Sequence, residues 1–212
     1  MSQDPAMHGG ADVHSDIAYM KKLAEEGRQA PVLVGPILVS ASLWFGAATF
    51  IQWMGKLGIL PIEGWGLFAL WMIAGAGFGV VLFMLIRKLD TVAGSGTRDN
   101  VAIGAAWSAC GFSIFGTWMV LTAFALSTGS WSSMALMPAV VMIAYGAAWI
   151  IAGQIVRQGW MIGVGVISFA GAVALGWFAF TDWTYAIYLV LLVAVALCPG
   201  LYLMKQASRA GG

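Results

Sequence analysis

Charged residues are scarce in this sequence, and their scarcity excludes most classes of soluble protein. They make up 9% of the chain, while hydrophobic residues make up 61%. An ordinary soluble domain carries roughly 25% charged residues, so a water-exposed surface cannot be built from this chain. The sequence therefore predicts an integral membrane protein. Its net charge of +1 leaves no basic patch with which to bind nucleic acid.

Ionisable side chains are missing from the long apolar stretches, and this absence removes several chemistries. All nine acidic and all ten basic residues lie between or outside those stretches. Proton relays, voltage sensors and membrane metalloproteases need such groups within the membrane. The two histidines, His8 and His14, lie in a Gly-containing N-terminal segment that fixes no ligand geometry. We therefore predict a non-enzymatic protein with no catalytic residue, no metal site and no cofactor.

What the chain does contain is six apolar stretches, each long enough to cross a bilayer. A membrane-spanning helix needs about 20 apolar residues. The sequence predicts an all-α, polytopic bundle of six transmembrane helices within residues 31–207, preceded by a mobile tail (1–14) and a short amphipathic helix (15–30) and followed by a C-terminal tail (208–212). The predicted spans are Pro31–Met54, Trp65–Ile86, Val101–Leu126, Met134–Val156, Trp160–Phe180 and Thr184–Met204.

The distribution of Lys and Arg predicts how the bundle is oriented. Nine of the ten basic residues lie on one side of the six-span pattern, and Lys56 alone lies on the other. Because Lys and Arg in short loops are retained on the cytoplasmic side, both termini are expected to be cytoplasmic. Six spans with short loops favour a bacterial inner membrane as the location.

The segment before the first span has the pattern of an amphipathic helix. Ile17, Met20 and Leu23 recur at helical spacing, and charged residues occupy the opposite face. One interpretation is a helix that lies at the level of the lipid headgroups and leads into the first span. The other is a docking helix that binds a soluble partner.

The odd-numbered spans share a pattern that is typical of tandem helical hairpins. Each contains a small-residue segment that closes on a Trp, at Trp53, Trp118 and Trp177, and the returning spans end near basic residues. Three tandem hairpins would build the bundle from parallel repeats. The alternative is that any six-span bundle with Trp at one end and basic residues at the other shows this much similarity.

Small and hydroxyl-bearing residues recur along one face of each odd-numbered span. Such stripes allow close helix packing, or they line a narrow polar path contributed by helices 1, 3 and 5. Gly75 and Gly79 form a GxxxG pattern in the second span, which favours helix contact. The stripe residues are Ser42, Thr49, Cys110, Ser113, Thr117 and Ser168.

Pro199 and Gly200 are the best candidates for a hinge, because Pro lacks an N–H group and crowds the preceding turn of a helix. They lie late in the sixth span, beside Cys198. A static kink at the same place is the alternative interpretation.

The layout of about 200 residues in three helical hairpins resembles that of the acid-resistance membrane protein family and of the urea/amide channel family. The segment DIAYMKKLAEEGRQAP, which runs into the first span, resembles those of uncharacterised bacterial inner-membrane proteins. These resemblances imply a six-span membrane fold. They carry no functional residue over to this chain.

Two functional hypotheses follow from the sequence. The leading one is an inner-membrane protein that acts by association, as an accessory, assembly or sensory subunit. Its expected partners are the lipid bilayer and either another membrane protein or further copies of itself. The alternative is a channel or facilitator for a small neutral solute along the stripes, since hydroxyl and aromatic constrictions select solutes without charged groups.

Overall fold

The computed structural model describes residues 17–20, 34–89 and 98–210. Within these residues no strand forms, and the predicted all-α fold is confirmed. A 3₁₀ helix (Ser132–Leu136) precedes α4, and a π-helical turn (Val193–Leu197) joins α6 to α7. The seven longer helices are α1 (Gly35–Lys56), α2 (Trp65–Leu89), α3 (Arg98–Thr128), α4 (Met137–Ile155), α5 (Gly159–Trp177), α6 (Trp183–Leu192) and α7 (Cys198–Ala210).

Six helical stretches are long and apolar enough to cross a membrane, which confirms the predicted six-span architecture. The sixth is continuous from Trp183 to Arg209 and comprises α6, the π turn and α7. The helix extends to Ala210, so residues 208–210, which were expected in the C-terminal tail, are helical. Asp99 lies in the first turn of α3, where its carboxylate stabilises the helix by interacting with the positive end of the helix dipole.

The helices pack in a defined spatial order that differs from their order along the chain. The most extensive contact joins α4 to α5; α4 also packs on α3, and α5 on α6 and the π turn. On the other side, α1 packs between α2 and the sixth span. Across the bundle the order is therefore α2, α1, the sixth span, α5, α4 and α3. The tandem-hairpin repeat stays a prediction, because the largest interface joins helices from two different predicted hairpins.

Glycines allow α4 and α5 to approach each other closely. A Cβ atom added to Gly165 would lie 2.9 Å from the carbonyl oxygen of Gly146, and one on Gly146 would lie 3.1 Å from the carbonyl oxygen of Gly165. Ser168 is fully buried one turn further along α5, and its hydroxyl donates to the carbonyl oxygen of Met142 at 2.8 Å. Small residues and an interhelical hydrogen bond are the usual basis of helix association in lipid.

A second close crossing joins α1 to α7. A Cβ atom on Gly35 would lie 2.9 Å from the carbonyl oxygen of Gly200, and one on Gly200 would lie 3.0 Å from the carbonyl oxygen of Gly35. The two glycines therefore face each other, and neither position accepts a side chain without separating the helices. This crossing holds the first two turns of α7 against the start of α1.

At the opposite end of α1, Gln52 connects three helices. Its side-chain oxygen accepts a hydrogen bond from Trp71 Nε1 of α2 at 2.8 Å, and its side-chain nitrogen donates to the Tyr185 hydroxyl of α6 at 3.1 Å. A side-chain amide in a span is satisfied by such partners rather than by water.

Candidate functional site

The sixth span is interrupted where its sequence contains proline. Pro199 has no N–H group, so the carbonyl of Val195, four residues earlier, lacks the donor that a regular α-helix would supply. The backbone from Val193 to Leu197 is π-helical. Isolated π turns occur often at functional sites, because they reshape the surface of a helix without ending it.

Trp149 of α4 supplies a donor to the carbonyl that Pro199 leaves without one. Its indole Nε1 donates to the carbonyl oxygen of Val195 at 2.9 Å, and the side chain is 1% exposed. A buried carbonyl and a buried indole N–H each incur a free-energy cost when they lack a partner. The pair therefore satisfies two polar groups inside the apolar core and holds the π turn against α4.

A continuous chain of aromatic rings surrounds this hydrogen bond; we call it the aromatic chain. Successive ring centroids lie 5.6, 5.4, 5.7 and 5.3 Å apart, and three of the four contacts are edge-to-face. Such geometry is the favoured arrangement of aromatic pairs. The aromatic chain begins on α4, passes to α3, returns to α4 and continues through α5 to α7. Its members are, in order, Tyr145, Trp107, Trp149, Trp160 and Tyr202.

The middle of the aromatic chain is closely packed and dry. Around Trp149, side chains from α1, α3, α5 and α7 converge, among them Val34, Ile103, Met161 and Leu203, and the space between them holds no water-sized cavity. The centre is therefore a core that fixes helix positions. It offers no room for a ligand.

The outer end of the aromatic chain borders an open groove, which we call the α5–α7 groove. Its volume is about 390 Å³, within the range of about 300–1,000 Å³ that is typical of small-molecule sites. Ala194, Cys198 and Tyr202 follow one another at four-residue spacing along one wall. The residues that line it are Trp160 and Val164 of α5 together with Ala194, Cys198, Pro199 and Tyr202 of the sixth span.

In α1 and α5 the hydroxyls of the predicted stripes are engaged by backbone. Ser42 donates to the carbonyl oxygen of Leu38 at 2.8 Å, and Thr49 donates to that of Phe45 at 2.7 Å. Both side chains are buried, as is Ser168 at the α4–α5 crossing. None of these three lines the α5–α7 groove.

In α3 the stripe residues have different surroundings. Cys110 is buried in the core, whereas Ser113 is exposed on the outside of the bundle. Thr117 is partly buried, and its hydroxyl donates to the carbonyl oxygen of Ser113 at 2.8 Å. The structure therefore separates the six stripe residues among two helix interfaces, the core and the outer surface. It does not bring them to one cavity.

The predicted hinge residues lie where the π turn meets α7. Pro199 lies beside the α5–α7 groove, and Gly200 is in contact with α1. Both are buried. Trp149 thus contacts the π turn at Val195 and Gly35 contacts Gly200, and both the hinge and the static kink stay predictions.

No protein-family model, curated protein or solved structure matches this chain. The resemblance to the acid-resistance and urea/amide channel families is thus unsupported beyond the six-span layout that they share.

In residues 17–20, 34–89 and 98–210, no three His, Cys, Asp or Glu side chains are grouped together. His8 and His14 lie outside those ranges. Both cysteines are free: Cys110 is in the core, and Cys198 is exposed in the α5–α7 groove.

The predicted docking helix is described only in part. Residues 17–20 are helical, and Ile17 and Met20 are both more than half exposed. Leu23, the third residue of the proposed docking face, lies outside the described residues, as does most of the predicted helix 15–30.

Sequence reasoning identified the proline kink but missed its partner. A Trp deep within a span needs an acceptor for its indole N–H, and a proline four residues after a buried carbonyl creates one. These two signals together point to Trp149 and Val195. The sequence alone does not show that the two groups meet, because they lie 46 residues apart. Trp160 and Tyr202 were missed as groove residues for the same reason.

Proposed function

We propose that this integral membrane protein acts by association, as an accessory, assembly or sensory subunit of a membrane complex. The observation that supports this proposal is the position of α2 at the edge of the bundle. Only 6% of its most apolar 18-residue window is buried, and its extensive contacts are with α1 alone. Most of α2 therefore faces the membrane, where a helix of another subunit can reach it.

The outward surface of α2 carries small residues at the spacing used in helix association. Gly75 and Gly79 are exposed, and a Cβ atom added to either would meet no atom within 4 Å. A glycine inside a helix costs about 1 kcal/mol relative to alanine. Among residues 17–20, 34–89 and 98–210, no close packing offsets that cost. A second helix laid across these positions would offset it through the close backbone approach that a GxxxG pattern allows.

Native mass spectrometry in mild detergent tests the proposal. The protein purified from its own membrane is expected to carry a stoichiometric second protein or a second copy of itself. Replacing both glycines, Gly75→Leu with Gly79→Leu, should remove that partner. The matched control is Gly163→Leu with Gly176→Leu, since these glycines of α5 are equally open. A wild-type protein that is monomeric and free of partners would contradict the proposal.

The N-terminal segment is the second proposed contact. Ile17 and Met20 present exposed apolar side chains within a helical segment. Deleting residues 15–29 is expected to release a soluble partner while leaving any partner bound to α2 in place. A deletion without effect on co-purifying proteins or on growth would remove docking from the proposal and leave a headgroup-level helix.

The alternative from the sequence, a facilitator for a small neutral solute, gains no support from the described geometry. The hydroxyls of Ser42, Thr49 and Ser168 bond to backbone carbonyls. A liposome flux assay distinguishes the two functions: flux that falls on replacing Ser113 and Thr117 with Val would favour the facilitator.

We also propose a bacterial inner membrane with both termini cytoplasmic. In support, Arg87, Arg157 and Arg209 lie at or just after the C-terminal ends of the even-numbered spans, which is the predicted cytoplasmic side. Lys56 lies at the C-terminal end of α1, which is the predicted outer side. A reporter that fluoresces only in the cytoplasm should be active when fused after Arg209. Alkaline phosphatase, active only outside the cytoplasm, should be active when inserted at Gly58.

A further inference from the structure

The α5–α7 groove opens on the side of the bundle, within the part of the chain that lies in the membrane. Ala194 of the π turn and Pro199 line one wall of this groove, and Trp160 and Val164 of α5 line the other. Its walls are apolar and aromatic, with Val164, Ala194 and Cys198 along its length. In a bilayer such a groove is in contact with hydrocarbon chains rather than water.

Two basic residues lie close in sequence to the aromatic end of this groove. Trp160 and Tyr202 meet there with ring centroids 5.3 Å apart, so the first turn of α5 is adjacent to the middle of α7. Arg157 precedes Trp160 by three residues, and Lys205 follows Tyr202 by three. Both basic side chains are exposed. Trp and Tyr at such a position mark the boundary between hydrocarbon and headgroups.

No acidic residue competes for these cations within the same part of the sequence. From residue 100 to the end of the chain the single acidic residue is Asp182. It precedes α6, at the opposite end of the sixth span from Lys205. Residues 100–212 therefore place no acidic side chain at the basic end of the sixth span, and Asp99, in the first turn of α3, precedes this range.

Arg157 adopts a left-handed backbone conformation, which glycine adopts more readily than arginine. Its φ angle is +54°, and the N–H of Gln158 bonds to the carbonyl of Gly153 at 2.9 Å, as in the common glycine-terminated helix end. The left-handed conformation costs a residue with a side chain roughly 1–2 kcal/mol relative to glycine. Backbone strain of this kind concentrates at functional positions.

We propose that the α5–α7 groove binds an anionic phospholipid, with an acyl chain along Val164, Ala194 and Cys198 and the phosphate paired with Arg157 and Lys205. Basic pockets between membrane helices are a known means of binding anionic headgroups. The site lies on α5 and the sixth span, away from α2. The proposal therefore stands independently of the association described above.

Photo-crosslinking tests the acyl part of the site. The full-length protein in mild detergent is mixed with phosphatidylglycerol or with phosphatidylcholine, each carrying a diazirine on one acyl chain. Mass spectrometry of peptides should place the crosslinks in residues 160–164 and 194–202, with a several-fold higher yield from phosphatidylglycerol. Equal yields from the two lipids, or crosslinks spread evenly around the bundle, would overturn the proposal.

A variant that fills the groove is compared with a control at the same depth. Ala194→Phe should reduce crosslinking several-fold, while Ala109→Phe on α3 should leave it unchanged. Both alanines are exposed. Ala194 lies eleven residues from Lys205 and Ala109 eleven residues from Arg98, so each lies about 16 Å from the basic end of its helix. Unchanged crosslinking of a correctly folded Ala194→Phe protein would contradict the proposal.

The headgroup part of the site is tested by variants that keep the fold. Arg157→Gly suits the left-handed backbone, so this variant is expected to melt at a higher temperature and yet to lose the preference for phosphatidylglycerol. Lys205→Gln should weaken that preference also, and Lys56→Gln, at the other end of the bundle, should not. If Arg157→Gly retains the full preference, the arginine does not bind the phosphate and the proposal fails. These outcomes decide the proposal even if Ala194→Phe misfolds.

Discussion

At the scale of single residues, one hydrogen bond explains how a kinked span is tolerated in an apolar core. Pro199 removes a backbone donor, and Trp149 replaces it from a neighbouring helix at 2.9 Å from the Val195 oxygen. The indole also fills the centre of the aromatic chain between Trp107 and Trp160. Hydrogen bonding and packing thus depend on the same side chain.

We predict that Trp149→Phe destabilises the protein by about 1–3 kcal/mol, since the substitution keeps a ring but removes the donor to a buried carbonyl. Thermal unfolding in detergent measures the effect as a lower melting temperature. Trp177→Phe is the control. Because Trp177 is 84% exposed, this substitution should leave the melting temperature nearly unchanged. Equal stabilities of the two variants would show that the hydrogen bond contributes nothing.

A double-mutant cycle should reveal the coupling between Trp149 and Pro199. In Pro199→Ala the new N–H can donate to the Val195 carbonyl, so Trp149→Phe should cost less in that background than in the wild type. Residues that share a partner typically show interaction energies of about 0.5–3 kcal/mol. Purely additive effects on the free energy of unfolding would contradict the idea that the indole replaces the missing donor.

At the scale of helices, small residues decide which pairs pack most closely. The α4–α5 crossing brings Gly146 and Gly165 together, and the α1–α7 crossing brings Gly35 and Gly200 together. The outward glycines of α2, Gly75 and Gly79, by contrast, face no atom within 4 Å in the described part of the chain. Composition alone does not separate these cases, since the chain contains 28 glycines.

Two alanine substitutions on α5 should therefore have opposite effects. Gly165→Ala would place its Cβ atom 2.9 Å from a backbone oxygen and 2.6 Å from Ile150, and forced overpacking of this kind costs about 1–3 kcal/mol. Gly163→Ala meets no atom within 4 Å and should stabilise the helix by about 0.5–1 kcal/mol. The two melting temperatures should lie on opposite sides of the wild-type value. A similar melting temperature for both variants would be evidence against the observed crossing.

At the scale of the whole molecule, the spatial order of the helices leaves α2 and α3 at the two edges. Their most apolar windows are 6% and 11% buried, against 39% for the sixth span. The sixth span thus contributes most to the core, although it contains the proline kink and borders the groove. The exposed surface of α2, which is the most available to another subunit, is separated from the proposed lipid site on α5 and the sixth span.

The unequal burial of the two cysteines gives a measurable consequence of this arrangement. In detergent without denaturant, N-ethylmaleimide should modify Cys198 and leave Cys110 unmodified, because the first is exposed in the α5–α7 groove and the second is buried. Intact mass spectrometry should show one added label, and none in the Cys198→Ser variant. A second label should appear only after unfolding in sodium dodecyl sulfate. Rapid double labelling of the native protein would contradict the described core.

The amino-acid sequence by itself determined the secondary structure and the number of spans. Runs of apolar residues without ionisable groups can form only helices when no water is present to satisfy their backbone, and their length sets how often the chain crosses. The sequence also predicted a hinge or a static kink at Pro199, because the missing N–H is a local property. It treated Ser42, Thr49 and Ser168 as equivalent members of a stripe.

The tertiary structure alone decided which helices meet and what each polar group does. In the membrane all six spans are similarly apolar, so hydrophobicity does not choose between partners, and the choice rests on shape and on single hydrogen bonds between distant residues. Ser168 bonds across an interface, while Ser42 and Thr49 bond within their own helix. The contact of Trp149 with Val195, and the groove between Trp160 and Tyr202, exist only once α4, α5 and the sixth span are packed together.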